Sequence, residues 1–259
     1  MKVVIFAGGK GTRISEESHL RPKPMIEVGG KPILWHIMKS YAEYGHNEFI
    51  ICLGYKGYMI KEYFLNYHFH NADVTVDLSD NSVEVHKSKS ENFKVTLVDT
   101  GLETMTAGRL KRIEPYIDKN EDFMLTYGDG VADIDLDKEL SFHKNHGKIC
   151  TMAIVQPGSR FGVLDMDENN VVRNFIEKPK EDGAWINGGF FILKPEVFQY
   201  LKDYDADPIM WEAKPLDDLT KTGELVAYKH HGFWKCMDTM RDNHDLNKMW
   251  DDKPKWKNW

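Results

Sequence analysis

The first 25 residues constrain the fold more than any other part of the chain. Residues 2–7 form a short apolar run, typical of a buried strand in a parallel sheet, that leads directly into Gly8-Gly9-Lys10-Gly11-Thr12-Arg13. Glycines directly after a strand let the backbone turn and bring bare N–H groups close to an anion. Arg13 and Lys23 add positive charge. We therefore expect an anion-binding loop at the carboxyl end of a strand in a parallel sheet.

The residues around Lys23 predict how its side chain is presented. Lys23 stands between Pro22 and Pro24, and this frame favours a rigid, extended backbone that aims the lysine side chain.

Strand and helix patterns alternate along most of the chain, which predicts an α/β fold with a mixed, mainly parallel sheet flanked by helices. Two pairs of alternating segments, 74–78 with 82–86 and 161–165 with 171–176, predict small β-hairpin insertions. The other strands are expected at 49–53, 95–99, 123–127, 149–155, 186–193, 225–228 and 233–237. Helices are expected at 33–44, 58–67, 104–112, 136–146, 195–201, 212–222 and 239–250, followed by an aromatic tail that packs on a neighbouring surface.

Composition limits the architecture and the partners. The chain has 259 residues, near the upper size of roughly 250–300 residues for one hydrophobic core, so we expect a single domain over 1–259. A net charge of −7 argues against a nucleic-acid partner. The segment 68–94 interrupts the α/β pattern and is our candidate for contacts between subunits.

The cysteines and the apolar segments indicate the compartment. Cys52, Cys150 and Cys236 are far apart in sequence and form no C-x-x-C pair, which is typical of reduced thiols. No signal peptide and no apolar stretch of about 18 residues is found, so we expect a cytoplasmic protein without membrane contact.

The glycine loop departs from two common nucleotide-binding motifs. A dinucleotide fold needs G-x-G-x-x-G opening a helix, and here the third glycine is displaced. A P-loop needs G-x-x-x-x-G-K-[ST], which Gly9-Lys10-Gly11-Thr12 does not supply. A Rossmann dehydrogenase is therefore disfavoured.

The combination of motifs resembles the sugar-1-phosphate nucleotidylyltransferase family over nearly the whole chain. The opening loop and Arg21-Pro22-Lys23-Pro24-Met25 match its signature. The later motifs follow in the family's order: Tyr127-Gly128-Asp129-Gly130, Glu177-Lys178-Pro179, Asn187-Gly188-Gly189 and Met237-Asp238-Thr239. More narrowly, three stretches resemble the family's glucose-1-phosphate cytidylyltransferases: Ser15-Glu16-Glu17, residues 31–38 and residues 106–112.

The resemblance implies a Rossmann-like nucleotide-diphospho-sugar transferase fold and the transfer of a cytidylyl group from CTP to α-D-glucose 1-phosphate. The products are CDP-glucose and pyrophosphate, on a route to CDP-linked deoxysugars of surface polysaccharide (O-antigen). It also implies a homohexamer, Mg²⁺ as cofactor and catalytic roles for Arg13 and Lys23. The implied nucleotide site comprises Phe6, Ala7, Gly8, Gly9, Lys10, Gly11, Thr12, Arg13, Lys23, Thr104, Thr106, Arg109 and Gly128. The implied sugar-phosphate site comprises Glu177, Lys178, Asn187 and Gly188.

The chemistry of this transfer requires the residue types that the motifs supply. The attacking phosphate oxygen is already ionised, so the protein must position two polyanions and stabilise developing charge rather than remove a proton. Mg²⁺ favours one or two carboxylates plus phosphate oxygens, and Asp129 and Asp238 both follow predicted strands. Asp238 is also placed to cap the final helix, an alternative that its position permits.

Arg109 is the candidate for choosing the base. A guanidinium donates to O2 and N3 of cytosine, both acceptors, whereas uracil and thymine present a donor at N3. Thr104, Thr106 and the backbone near Gly8 would complete this contact, and an ordinary helix arginine is the alternative. The rival functions are a uridylyl- or thymidylyltransferase and a non-catalytic subunit that senses sugar nucleotides.

The histidines give no metal-site pattern. His68, His70 and His86 lack the spacing of a third ligand and are expected to be ordinary loop and strand residues.

Overall fold

The computed structural model describes residues 1–157, 163–166, 172–176 and 184–259. Its strands are β1 (Lys2–Phe6), β2 (Glu27–Val28), β3 (Lys31–Pro32), β4 (Glu48–Leu53), β5 (Ala72–Asp77), β6 (Ser82–Ser88), β7 (Lys94–Asp99), β8 (Phe123–Tyr127), β9 (Gly130–Ala132), β10 (Cys150–Val155), β11 (Val163–Met166), β12 (Val172–Ile176), β13 (Ile186–Leu193), β14 (Leu225–His230) and β15 (Trp234–Cys236).

Short and long helices connect these strands. The α-helices are α1 (Ser15–Ser18), α2 (Ile33–Ala42), α3 (Gly57–Leu65), α4 (Tyr67–His70), α5 (Thr106–Arg112), α6 (Leu136–His146), α7 (Lys214–Lys221) and α8 (Met240–Asp252). The 3-10 helices span Thr12–Ile14, Lys23–Met25, Glu114–Tyr116 and Pro195–Leu201.

The main sheet has seven strands in the order β14-β10-β13-β8-β1-β4-β7. Strand β13 runs antiparallel to both of its neighbours, β10 and β8, and every other pair in the sheet is parallel. The prediction of a mixed, mainly parallel sheet is therefore confirmed. The predicted hairpins are present as β5–β6 and β11–β12, both antiparallel.

Both faces of the sheet are covered, which explains why β1 is apolar from Val3 to Phe6. Val3 and Ile5 belong to the core beneath α2, whereas Val4 and Phe6 belong to the core beneath α5. A strand buried on both faces has no polar side, and each fully buried aliphatic side chain contributes roughly 1.5–3 kcal/mol. Strand β1 is therefore an interior strand of the sheet, between β8 and β4, and the glycine loop follows it directly.

The aromatic tail packs on the chain itself, as predicted. Trp256 is 1% exposed and lies against Phe233, Trp250 and the imidazole of His36. Burial lowers the pKa of His36 to about 4, so this ring is neutral inside the aromatic cluster.

Some predicted boundaries differ from the observed ones. The helix expected at 58–67 is divided into α3 and α4, and the helix expected at 212–222 is confined to Lys214–Lys221. Helix α5 begins at Thr106 rather than at 104. Across the described ranges, no helix is both long and apolar enough to span a bilayer.

Candidate active site

The glycine loop lies at the carboxyl ends of the parallel strands. Gly11 has a φ of +63°, the left-handed conformation that glycine adopts most readily, and its carbonyl accepts a hydrogen bond from Ile14 N. Within the described part of the chain, the N–H groups of Gly8, Gly9, Lys10 and Gly11 have no acceptor. The loop therefore presents free backbone donors, as an anion cradle requires.

Arg109 joins three strand ends beneath this loop. Its Nη1 donates to Leu53 O (2.9 Å) and Thr100 Oγ1 (2.7 Å), and its Nη2 donates to Gly8 O (3.0 Å). The residue is 4% exposed, and burial lowers the pKa of the guanidinium from its usual value. A Cβ at position 8 would lie 2.1 Å from Nη1 of Arg109, so glycine at this position allows the arginine to approach.

A cavity of about 340 Å³ opens between the glycine loop and α5. It contains nearly all of the predicted nucleotide site: Phe6, Ala7, Gly8, Gly9, Gly11, Thr12, Arg13, Lys23, Thr104, Thr106, Arg109 and Gly128 line it together with Asp129. Lys10 lies apart from this lining, and its Nζ pairs with both carboxylate oxygens of Glu103 at 2.8 Å. We call this space the nucleotide cavity.

The charged centre of the site joins four predicted residues. Lys23 Nζ donates to Asp129 Oδ2 at 2.6 Å and to Asp238 Oδ1 at 2.7 Å. Arg13 Nη1 donates to the second oxygen of Asp238 at 2.8 Å. The side chain of Lys23 is 10% exposed, whereas that of Arg13 is 74% exposed. The two carboxylates therefore converge on one point, which the lysine ammonium occupies.

A short antiparallel ribbon brings Asp129 and Asp238 together. Asp129 precedes β9, Asp238 follows β15, and these two strands pair from Gly130 with Cys236 to Ala132 with Trp234. Met237 N donates to Asp129 O at 2.8 Å, which extends the ribbon to the carboxylates. The prediction of a strand at 233–237 is partly confirmed, but β9 and its pairing were not predicted.

The ion pairs shift the pKa values of the central groups. Burial alone would lower the pKa of Lys23, but Asp129 and Asp238 outweigh it and hold that pKa above its usual value. Burial would likewise raise the pKa of Asp238, but Lys23 and Arg13 hold it below the usual range. Lys23 is therefore a cation and Asp238 an anion at neutral pH.

The expectation of an extended backbone at Lys23 is wrong, and the alternative role of Asp238 as a helix cap is absent. Lys23 begins a 3-10 turn instead of lying in an extended segment, because Met25 N donates to Pro22 O and Ile26 N donates to Lys23 O. Asp238 does not cap the final helix, because Thr239 caps α8 in a reciprocal pair with Asp242. Both oxygens of the Asp238 carboxylate are therefore available to Arg13 and Lys23.

A second cavity of about 230 Å³ adjoins the nucleotide cavity. Arg13, Tyr127 and Asp129 line both spaces, and Asn187 and Gly188 line the second. Trp234 Nε1 donates to Gly188 O at 2.7 Å, which fixes that backbone against the β9–β15 ribbon. Glu177 and Lys178, the other predicted sugar-phosphate residues, lie outside the described residues. We call this space the acceptor cavity.

The predicted site omitted a carboxylate in the nucleotide cavity. Glu212 lines that cavity, where Thr106 Oγ1 donates to it at 3.0 Å and the Tyr127 hydroxyl donates to its other oxygen. Burial, and then the neighbouring Glu212, raise the pKa of Tyr127 well above its usual value. Tyr127 belonged to a recognised motif, but no local pattern marks Glu212 in the sequence.

The carboxylates of the charged centre suit a hard divalent cation that also binds phosphate oxygens of the substrate. Two convergent carboxylates, Asp129 and Asp238, are the protein ligands that Mg²⁺ usually takes before it binds substrate oxygens. Among the described residues, no group of three or more His, Cys, Asp or Glu side chains forms a metal site. The described residues, including His68, His70 and His86, thus offer no all-protein metal cage.

Comparison with known proteins places the chain in a family. The Nucleotidyl transferase family model matches residues 2–252. The chain is 54% identical over 260 residues to the glucose-1-phosphate cytidylyltransferases of Salmonella typhi and Salmonella typhimurium, covering 100% of both sequences in each case. A solved UDP-glucose pyrophosphorylase complexed with UDP-glucose superimposes with a TM-score of 0.69 at 19% identity, over 97% of this chain and 98% of the other, which shows a common fold. The chain belongs to the nucleotidyl transferase family, as one of its sugar-1-phosphate nucleotidylyltransferases.

Proposed function

We propose that the protein transfers a cytidylyl group from CTP to α-D-glucose 1-phosphate. A phosphate oxygen of the sugar phosphate attacks the α-phosphorus of CTP, and the bond from that phosphorus to the bridging oxygen of pyrophosphate breaks. The products are CDP-glucose and pyrophosphate. The observation that supports this most is the charged centre of Lys23, Asp129 and Asp238, since it lies where the nucleotide cavity meets the acceptor cavity.

The charged centre has the parts that in-line transfer needs. Arg13 and the free N–H groups of residues 8–11 would bind the β- and γ-phosphates, and Lys23 would neutralise charge at the α-phosphate. Asp129 and Asp238 would hold Mg²⁺, which when bound neutralises phosphate charge and orients the pyrophosphate leaving group. Lys23 would then exchange its two carboxylate partners for phosphate oxygens.

The acceptor cavity supplies polar groups for the hexose. Asn187 and Gly188 lie beside the charged centre, so an amide and an open backbone are available to sugar hydroxyls. By family resemblance, Glu177 would bind hydroxyls and Lys178 the sugar phosphate.

Base choice is assigned to Arg109 with Thr104 and Thr106. All three line the nucleotide cavity near Gly8, and the 54% identical Salmonella relatives are named for CTP chemistry. The Thr104 hydroxyl and the unbonded N–H groups of Arg109 match the acceptors O2 and N3 of cytosine. The hydroxyl hydrogen of Thr106 is already donated to Glu212, so Thr106 would contribute by contact rather than by donation.

We also propose a homo-oligomer, a hexamer by family resemblance, formed through the 68–94 segment of the single domain 1–259. Support comes from apolar side chains that this segment leaves in solvent, which are Phe69, Val74, Val76, Leu78 and Val83.

We further propose a cytoplasmic location and a role in supplying CDP-glucose for CDP-linked deoxysugars. All three cysteines are free thiols, as that compartment requires.

One assay tests the reaction. Pyrophosphate release is measured for each of CTP, UTP, dTTP, ATP and GTP against glucose, galactose and mannose 1-phosphates, with Mg²⁺ or EDTA. We expect the highest kcat/KM for CTP with glucose 1-phosphate. A preference for UTP or dTTP would replace the cytidylyl assignment, and nucleotide binding without any pyrophosphate release would favour a sensing subunit.

A further inference from the structure

The hydroxyl of Thr104 is held by a second arginine on α5. Thr104 is 7% exposed and lines the nucleotide cavity, and its Oγ1 accepts a hydrogen bond from Arg112 Nη1 at 2.5 Å. The same nitrogen donates to Thr100 O, and Nη2 of Arg112 donates to Asp207 Oδ2 at 2.5 Å. Arg112 itself is outside the lining of the cavity.

This contact favours donation by the Thr104 hydroxyl, because the cationic guanidinium takes one of the two lone pairs of Oγ1 and polarises the O–H bond. A guanidinium has only donors, so Thr104 Oγ1 must act as the acceptor in its bond with Arg112. Among the described residues, no acceptor is found for the hydrogen of the Thr104 hydroxyl. That hydrogen is therefore available to a ligand in the cavity.

Arg109 offers further donors beside Thr104. Its Nη1 donates to Leu53 O and Thr100 Oγ1 and its Nη2 to Gly8 O, and among the described residues no acceptor is found for its Nε–H or its second Nη2–H. These N–H groups and the Thr104 hydroxyl are matched by a base edge that only accepts. The O2 and N3 atoms of cytosine form such an edge, whereas uracil interrupts it with an N3–H.

We propose that Arg112 is a positioning residue for base selectivity, which holds the Thr104 hydroxyl as a donor toward the base. The inference rests on the proposed cytidylyl transfer. Without Arg112, the hydroxyl of Thr104 is free to turn and accept from N3–H of uracil, so discrimination against UTP weakens. The glycine at position 101 supports the close approach, since a Cβ there would lie 2.5 Å from both Arg112 Nη1 and Thr104 Oγ1.

The test is a double-mutant cycle scored on the ratio of kcat/KM for CTP to kcat/KM for UTP. We expect Arg112→Leu to lower this ratio about 3- to 10-fold, the equivalent of one hydrogen bond. Thr104→Val removes the hydroxyl and lowers the ratio as well. In the double variant the ratio falls no further than in Thr104→Val alone, because both changes remove the same interaction.

Two further variants separate base selectivity from a structural role. Arg112→Lys retains a donor and is expected to keep most of the selectivity, and Lys111→Leu, on the same helix, to leave the ratio unchanged. Two results would overturn the proposal. One is a fall of kcat/KM by the same factor for CTP and for UTP in Arg112→Leu. The other is a ratio in the double variant that falls by the product of the two single-variant factors. If Arg112→Leu does not fold, the cycle is run with Arg112→Gln. A wild-type preference for UTP would instead refute the proposed function, so the two failures are distinct.

Discussion

Lys23 Nζ lies 2.6 Å from Asp129 Oδ2, although 106 residues separate the two in sequence. Asp238 approaches the same nitrogen at 2.7 Å, so one ammonium pairs with both carboxylates that would hold a metal. Lys23 therefore satisfies both carboxylates in this structure. Under the proposed function, Asp129 and Asp238 would instead hold Mg²⁺ when the polyphosphate is bound.

Lys23→Met tests the first part of this relationship. The change keeps the apolar stem and removes the charge, so we expect kcat for pyrophosphate release to fall by about 100-fold or more. CTP binding, measured by calorimetry, is expected to persist because Arg13 and the glycine loop remain. Lys202→Met, at an exposed lysine that lines neither cavity, is the matched control. Unchanged turnover in Lys23→Met would refute the role of Lys23.

Asp238→Asn tests the second part. The amide is a poorer ligand than a carboxylate. Arg13 loses its anionic partner, and Lys23 keeps only Asp129. We expect the Mg²⁺ concentration for half-maximal rate to rise by at least about tenfold. The measurement is an Mg²⁺ titration of pyrophosphate release at saturating substrates.

Two other variants test whether the raised Mg²⁺ requirement of Asp238→Asn reflects weaker metal binding. Excess Mg²⁺ should recover part of the rate of Asp238→Asn but none of the rate lost in Lys23→Met. Asp251→Asn, at an exposed position on α8, should titrate like the wild type. An unaltered half-maximal concentration in Asp238→Asn would exclude Asp238 as a ligand.

Local sequence predicted the first part of the site well. Residues 3–7 are all apolar and the glycines follow at once, so both strand and loop are specified within a dozen residues. The alternation of strands and helices gave the sheet class for the same reason. Such signals depend only on neighbours in sequence.

Other parts of the site depend on distant pairings. Strand β9 has three residues, too few for a periodic pattern, and about a hundred residues separate it from its partner β15. Glu212 is placed by Thr106 and Tyr127 from two other elements. Neither arrangement has a local signal, so only the folded chain reveals it.

Trp256→Ala tests the tail that the sequence predicted to pack. The indole is 1% exposed within the cluster of His36, Trp250 and Phe233. Its removal is expected to lower the free energy of unfolding by about 3–5 kcal/mol, the range for a large aromatic replaced by alanine in a core. Urea denaturation at neutral pH measures the change.

A second tail variant provides the comparison. Trp259 is only partly buried, although it contacts Trp35 and His36. Trp259→Ala should therefore cost clearly less than Trp256→Ala. Equal and negligible costs for both variants would show that the tail does not contribute to the core.

Glu139→Gln tests a buried acid in α6. Glu139 is 1% exposed, its Oε1 has no hydrogen-bond partner among the described residues, and burial raises its pKa to about 8. Between about pH 4.5, where the unfolded side chain ionises, and pH 8, the folded protein retains a proton that the unfolded chain has lost. The free energy of unfolding must therefore fall as pH rises through this window, by up to about 1.4 kcal/mol per pH unit.

The glutamine variant cannot ionise and removes this dependence. We expect Glu139→Gln to be more stable than the wild type, with a difference that grows from pH 5 to pH 8 and becomes constant above pH 8. Urea denaturation at pH 5, 6.5, 8 and 9 measures the difference, and Asp137→Asn, at an exposed position of the same helix, is the control. A difference that is the same at pH 5 and pH 8 would mean that Glu139 ionises normally in the fold.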